Sequence, residues 1–577
     1  MSGLDGGVPP RPPELHRRRF DASIAARLQA AGLHPVLARV ASARGITDAA
    51  ALNPALADLL RPERMHGLAA AAALVADAVT AGAPIVVVGD YDCDGATASA
   101  LAVSGLRRLG ALTDYLVPNR FIHGYGLSEP LVDIALAHPR LGKASLLITV
   151  DNGIASIAGV RAARAAGLKV VITDHHLPGD ALPKADAIVD PNLPQCGFPS
   201  RHLAGVGVAF YLLSAVRAEL VARARFEAPG PPLGDLLDLV ALGTIADVVP
   251  LDENNRRLVH AGLQRIRSGR ARPGIQALLR VAGCAQDRVS ARDLGFLLGP
   301  RINAAGRLDD ITLGIECLLA DSLDAALPLA ERLDAINRER RDAQLEMQEQ
   351  ALAHVGEPGI GQRAIVAFDP HWHQGIVGLV AGRLRERHHR PAFAFAPDAN
   401  SGLWRGSGRS IPDVHLRDIL AWIDTRRPGL IERFGGHAMA AGLSLQESAL
   451  RPFADVLEQA LHECCDDEPF SPRLLTDGEL TEDQCTLDLA LLLERQIWGS
   501  GFPAPLFANE FQVQRQRVVG NGHLQLELAL DRQRLSAIFF GRDQPLPARC
   551  MLAYRLQANS FRGSTRLQLL IEAAVGI

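Results

Sequence analysis

Residues 84–97 read PIVVVGDYDCDGAT. Ile85, Val86, Val87 and Val88 form a short β-branched apolar run that predicts a buried strand. The run stops at three acids on alternate positions, Asp90, Asp92 and Asp94, closed by Gly95. A chain that turns there fans the three carboxylates around a point. Like charges so close repel one another and resist desolvation unless a cation sits among them. Oxygen donors of this kind suit Mg²⁺ or Mn²⁺. Taken alone, the stretch reads equally well as a solvated acidic turn that caps the next helix.

The same pattern recurs downstream. Apolar strands are expected at 85–88, 113–117, 146–150, 169–173 and 187–189, separated by small-residue helices such as 96–109, 154–166 and 205–220. Such alternation predicts a mostly parallel sheet covered on both faces, with reactive groups at the carboxyl ends of its strands. The strand ends carry Asp90, Asp92 and Asp94, then Asp151-Asn152-Gly153, then Asp174-His175-His176, and the apolar run 239–245 leads to Asp247. Separate segments thus bring carboxylates and imidazoles to one rim. Clustered acids are costly without a counter-charge, so a two-ion site for hard metals is the expectation.

The 577 residues exceed what one hydrophobic core organises, so three or more domains are expected. Hydrophobic residues at 48% and charged residues at 21% are ordinary for a soluble protein. A net charge of -4 argues against coating nucleic acid by bulk charge but leaves room for a local basic groove. The eight cysteines show neither zinc-type pairing nor a disulfide framework, which points to a cytoplasmic setting. The Pro- and Arg-rich N-terminus lacks a signal-peptide core, and the Ala-rich run 69–79 is too short to span a bilayer, so no membrane role is expected. The domains read as a helical lead-in over 1–80, a catalytic α/β domain over 81–329 with a loop at 299–307 (GPRINAAGR), and a long charged helix over 330–355. A second α/β domain over 356–465 follows, with Gly-rich loops at 407–410 and 435–437. An acid- and proline-rich linker lies near 466–472, and alternation within 470–577 predicts a small antiparallel barrel.

In order, residues 90–97, Asp151-Asn152-Gly153, Asp174-His175-His176 and Asp247 resemble the DHH phosphoesterase superfamily. The further stretches 299–307, 371–378 and 435–442 resemble its RecJ branch, the single-strand-specific 5′→3′ DNA exonucleases. The likeness runs from residue 84 to 443, and the β-rich remainder fits that family's oligonucleotide-binding (OB) domain. It implies an α/β fold: a parallel-sheet DHH domain and a DHH-associated α/β domain joined by a long helix, plus an all-β OB-fold barrel.

By that resemblance Asp92, Asp94, Asp151, His175 and Asp247 hold two Mn²⁺ or Mg²⁺ ions, and Asp90 is a further ligand or orients one. His176 faces the scissile phosphoryl oxygens, and Asp174 fixes the histidine pair. Arg120 holds the substrate's 5′ phosphate while Tyr125 offers a stacking face. Ser407, Gly408, Arg409 and Ser410 make a second clamp for a terminal phosphate. Arg301, Asn303 and Arg307 supply donors to backbone phosphates, with an Arg-stapled structural loop as the rival. Gly435, Gly436 and His437 let a nucleic-acid backbone approach closely, and His371 and His373 serve fold or substrate rather than a second metal. Cys93 is a packed small side chain. Arg515, Arg517 and Arg532 with Phe511, Phe539 and Phe540 suit single-strand binding, although barrel core is the commoner role of such phenylalanines.

The implied activity is hydrolysis of single-stranded DNA from its 5′ end to 5′-mononucleotides, in repair and recombination, by a monomer. A helicase and a single-strand-binding protein are the candidate partners. Two rivals remain: a superfamily cousin that cleaves short oligonucleotides or cyclic dinucleotides, and a binding protein that has lost the chemistry. The full set of acids argues against the second.

Overall fold

Five parallel strands carry the acidic rim. They lie side by side in the order Thr113–Leu116, Ile85–Val88, Leu146–Val150, Lys169–Thr173, Ala187–Val189. The structure is a computed structural model that describes residues 13–119, 126–356, 358–359, 361–398, 401–465, 470, 472–520, 522–561 and 564–575. All four residues of Ile85–Val88 are buried because helices cover both sheet faces. Thr113–Leu116, the next strand along the chain, lies on one side of Ile85–Val88, and Leu146–Val150 lies on the other. Their connections therefore diverge and open a crevice beyond the carboxyl ends of Ile85–Val88 and Leu146–Val150. Asp90 follows the first of these strands and Asp151 follows the other. Topology alone thus puts acids from two distant segments at one crevice.

The helix Cys93–Arg108 begins in that crevice. Asp92 is its N-cap, its side chain accepting from the Gly95 N–H at 3.0 Å. Its face of Ala, Ser and Gly packs against the helices Gly205–Ala222 and Leu237–Ala246. Among the described residues, Gly205–Ala222 is the one helix long and apolar enough by composition to cross a membrane. Here it packs against Leu68–Thr80, Cys93–Arg108 and Leu237–Ala246 and buries much of its surface in the same core.

The chain forms two compact units. One holds residues 20–337 with 491–504, and the other holds 338–490 and 505–577 with the N-terminal strand. The second unit contains a five-stranded sheet in the order Arg433–Gly436, Ala440–Leu445, Trp404–Arg409, Ala392–Pro397, Ile365–Phe368; only its last pair is parallel. It also contains a closed five-stranded barrel formed by Phe507–Val519, His523–Leu530, Gln533–Phe539, Arg549–Phe561 and Ser564–Val575.

Several expectations need correction. Glu14–Arg17, read within a helical lead-in, is a strand parallel to Arg473–Thr476; Leu15 and Leu474 pack on Leu506, Ala553 and Ala573. Residues 491–504, read as part of the barrel domain, belong to the first unit. There Trp498 stacks on Phe502, with Arg44 and Arg256 over the two rings. The barrel is not wholly antiparallel, because Ala537–Phe539 runs parallel to Leu569–Ile571. The charged helix starts earlier, spanning Leu323–Val355, and its first half is not exposed: Ala326, Ala330, Leu333 and Asn337 make a buried stripe at helical spacing. Residues 299–307 form the helix Gly299–Leu308 rather than a loop, and most of 407–410 lies in the strand Trp404–Arg409.

Candidate metal centre

The acids converge. Ligand atoms of Asp90, Asp92 and Asp151 lie within 4.8 Å of one another, as do those of Asp94, His175 and Asp247, and those of Asp151, His175 and His176. Asp151 and His175 each belong to two of these groups, so they sit at the middle of the cluster. Asp151 sits in the left-handed region, at φ 62°, a conformation that turns its carboxylate into the crevice and that aspartate tolerates better than most residues. The N-terminus of Gly205–Ala222 presses against it. A Cβ at Gly205 would stand 2.4 Å from that of Asp151, so only glycine allows the approach. The same turn aims its amides at Asp94, whose Oδ2 accepts from Gly205 N–H at 2.6 Å and whose Oδ1 accepts from Val206 N–H at 3.0 Å.

The histidines have opposite electrostatics. His175 is held down to about 4 by burial and by the charge of His176. A backbone hydrogen bond ties its ring to the Leu203 carbonyl, and its Nε2 is buried without a hydrogen-bond partner. Nδ1 is therefore the donor, and the bare Nε2 lone pair faces Asp151 Oδ1 at 3.0 Å and Asp247 Oδ2 at 3.5 Å. His176 resists burial as an imidazolium, yet its 2.7 Å bond from Nδ1 to Asp174 Oδ1 raises it to about 9. Asp174 also accepts from the amides of Ile154, His175 and His176; against the pull of burial, the bond and charge of the His176 ring, with the Ile154 amide, hold its carboxyl below the usual range. It fixes both histidines from behind.

The chemistry of this donor set fits divalent cations. Burial, and then the neighbouring acids, push Asp90, Asp94 and Asp151 far above the ordinary carboxylate range and Asp247 up to about 7. Asp90 Oδ1, Asp151 Oδ1 and His175 Nε2 are all buried without a hydrogen-bond partner. Three orphaned acceptors facing one another are unstable unless a cation lies between them. Asp90, Asp92, Asp94, Asp151, His175 and Asp247 would hold it.

The other expected residues divide. Arg301 is buried and pairs with Asp334 through Nε (2.9 Å) and Nη2 (2.8 Å), while Nη1 donates to the Leu297 carbonyl at 2.6 Å. Asn303 Oδ1 accepts from the Cys93 N–H at 2.8 Å, and a Cβ at Gly306 would lie 1.9 Å from the Tyr91 carbonyl. The helix Gly299–Leu308 is thus a buttress under the acidic turn. Arg301 and Asn303 are withdrawn from the phosphate role assigned to them, and Arg307 sits half-buried one turn beyond Asn303.

In the second unit, cross-strand register aligns Ser407 with Gly442 and Gly442 with Gly435. Arg409 Nη1 donates to Ser407 Oγ at 2.9 Å and to the Gly408 carbonyl at 2.8 Å. A Cβ at Gly378, in the first turn of Val377–His388, would come within 2.9 Å of both side chains. Ser407, Gly408, Arg409, Gly435 and Gly436 therefore lie on one small sheet, beside the exposed His437. Ser410 does not join a clamp: it is buried, and its hydroxyl donates to the Val414 carbonyl at 2.6 Å. His371 and His373 shape a turn, His371 bonding Asp369 and His373 accepting from Gly375 N–H. Arg120 and Tyr125 lie outside the described residues. In the barrel Phe511 is core, whereas Phe540 is exposed.

Asp190 and Asn192 escaped the sequence analysis. Asp190 follows the strand Ala187–Val189, is fully buried, and is pushed by that burial to about 7. It accepts from the Asn192 N–H, and the Asn192 side chain donates to the His175 carbonyl at 2.5 Å. The strand-end rule, carried one strand further, points to them.

A parallel sheet with acids and histidines gathered at its switch point defines a DHH-type domain, and residues 84–244 match the DHH family, N-terminal domain. Residues 361–463 match the DHHA1 domain and 476–573 the RecJ OB domain. The chain belongs to the RecJ family. It is 45% identical to the single-stranded-DNA-specific exonuclease RecJ of Escherichia coli (strain K12), over 97% of this chain and 98% of that one. RecJ from Thermus thermophilus in complex with Mn²⁺ superposes with a TM-score of 0.82 at 29% identity, covering 98% of this chain and 79% of that one. For the Mg²⁺ complex the values are 0.76 and 28%, covering 97% and 78%.

Proposed function

We propose that this chain is a Mn²⁺- or Mg²⁺-dependent exonuclease that degrades single-stranded DNA from its 5′ end to 5′-mononucleotides. The observation that carries this is the set of orphaned acceptors converging at the switch point, in a chain whose relatives are named for that activity. Bound divalent ions supply an activated water and neutralise charge on the attacked phosphoryl group. The protein does the rest. The Gly205 and Val206 amides hold Asp94 in place, the Leu203 carbonyl fixes the His175 tautomer, and Asp174 keeps His176 protonated. An imidazolium so held donates to a non-bridging phosphoryl oxygen as charge builds there. Arg515, Arg517 and Phe540, all exposed on the barrel, suit a further grip on the strand. A monomer working in the cytoplasm on strands opened by a helicase or covered by a single-strand-binding protein completes the proposal.

The test is digestion of 5′- and 3′-end-labelled single and double strands with Mn²⁺ and with EDTA. Mononucleotides released first from the 5′ end of single strands, only with metal, are expected. Cleavage confined to di- to tetranucleotides, or loss from the 3′ end, overturns the proposal.

A further inference from the structure

Three exposed apolar residues are tied by the chain or by packing to segments that build the metal centre. Leu177 follows His176 and is 64% exposed, Val248 follows Asp247 and is 66% exposed, and Phe296 is 75% exposed. The ring of His175 and the carboxylate of Asp247 approach to 3.5 Å, so the segments carrying Leu177 and Val248 meet at the same centre. Phe296 belongs to the π-helical turn Leu294–Leu298, packed on the last turn of Leu237–Ala246 just before Asp247: a Cβ on Gly295 would touch the Ile245 side chain at 3.1 Å. The Arg292 guanidinium lies 5.8 Å from the centre of the Phe296 ring.

Val248 carries a second cost. Its φ of 64° is in the left-handed region, which a β-branched residue rarely adopts. Glycine or asparagine would satisfy the backbone better, and an exposed valine adds little to the core. Strain and exposure borne together, one residue from a metal-site acid, mark a contact made to something other than the fold.

We propose that Leu177, Val248 and Phe296 form an apolar rest for the nucleobases of the strand whose phosphate occupies the metal centre; this builds on the function proposed above. A nucleotide joins an anionic phosphate to a base with two apolar faces. A charged floor with an apolar rim complements both, whereas inorganic phosphate or pyrophosphate would leave the rim uncovered. Phe296 stacks on one base, with Arg292 adding positive charge behind the ring. Val248 and Leu177 meet the neighbouring base or sugar. Every base has a π face, so the rest positions the strand without reading its sequence.

The experiment measures kcat and KM in Mn²⁺ for wild type, Phe296→Ala, Phe296→Trp and Val248→Gly. Substrates are single strands with either normal or abasic residues at the first three 5′ positions. Phe296→Ala is expected to raise KM about tenfold on normal DNA at unchanged kcat, within the range for loss of one base–aromatic stack. Phe296→Trp restores it. On abasic DNA the wild type and Phe296→Ala converge to the same KM, the wild type having lost the Phe296 stack as well, so its abasic penalty is the larger of the two. Val248→Gly raises KM while its thermal unfolding moves up, because strain is relieved. Phe296→Ala within twofold of wild type on normal DNA, or equal abasic penalties in both proteins, overturns the apolar rest alone. A wild type that degrades no single strand overturns the function and the rest with it.

Discussion

The acidic rim and the helix Gly299–Leu308 behind it look alike in sequence: both are glycine-rich stretches holding polar residues that could meet DNA. Their hydrogen-bond accounting separates them. In the helix, Arg301 is paired with Asp334 and Leu297, and Asn303 with Cys93. On the rim, Asp90, Asp151 and His175 face one another with atoms that no donor satisfies. A satisfied polar group holds the fold, whereas a buried unsatisfied one awaits a ligand. Residue type could not make that distinction; partner geometry does.

The largest effect expected from this contrast is at His175. His175→Ala should cut exonuclease activity by about a thousandfold or more while leaving circular dichroism unchanged, because the ring contributes a ligand atom and little core. A variant that keeps a tenth of wild-type activity would remove His175 from the centre. Next is Arg301→Ala, which should destabilise the first unit by about 3 kcal/mol in denaturant unfolding, since it removes the Arg301–Asp334 ion pair and the Arg301 bond to the Leu297 carbonyl from a largely buried site. Activity per folded molecule, and the salt dependence of KM, should stay near wild type. A steep loss of DNA affinity with normal stability would return Arg301 to the phosphate role.

Much of the fold was legible because the parallel strands Ile85–Val88, Leu146–Val150 and Lys169–Thr173 are largely apolar runs, which follow from burial on both faces, and because an acid follows each of the three. The metal-site acids were legible for the same reason. Glu14–Arg17 was not: four residues with one half-buried leucine carry no period, and their strand exists only through pairing with Arg473–Thr476. Nor was the role of Arg301 or Asn303, since one sequence cannot show that Asp334 or the Cys93 amide is the partner. Strand Trp404–Arg409 was hidden by its glycines. They are needed because Cβ atoms at Gly406 and Gly408 would strike the rings of Phe395 and Phe393 across the sheet.

A smaller effect tests the buttress directly. Asn303→Ala removes the acceptor for the Cys93 amide and lets the acidic turn drift. The Mn²⁺ concentration for half-maximal activity should rise about tenfold, the low end for loss of a group that orients metal ligands, with kcat at saturating metal nearly restored. An unchanged Mn²⁺ midpoint with a raised KM for DNA would instead make Asn303 a substrate contact, and the contrast between rim and helix would narrow.

The smallest expected effect lies in the pH dependence of stability without metal. Asp90, Asp94 and Asp151 are raised well above the ordinary carboxylate value and Asp247 to about 7. The native protein therefore keeps protons there that the unfolded chain has shed, so stability falls as pH rises through the folded values. His176, raised to about 9, acts in the same direction: its contribution is complete below the unfolded histidine value and is lost as pH rises through 9. His175, lowered to about 4, opposes them only between about 4 and the ordinary value of 6.5, where the unfolded chain binds the extra proton. Above pH 6.5 nothing in the cluster offsets the loss. In EDTA the midpoint for unfolding of the first unit should drop by several degrees between pH 6.5 and 8.5. Divalent metal should flatten that slope, because a cation favours the charged carboxylates that burial disfavours. A metal-free protein whose stability holds level or climbs over that interval would mean the rim acids already have partners, and the rim would then be no different in kind from the helix behind it.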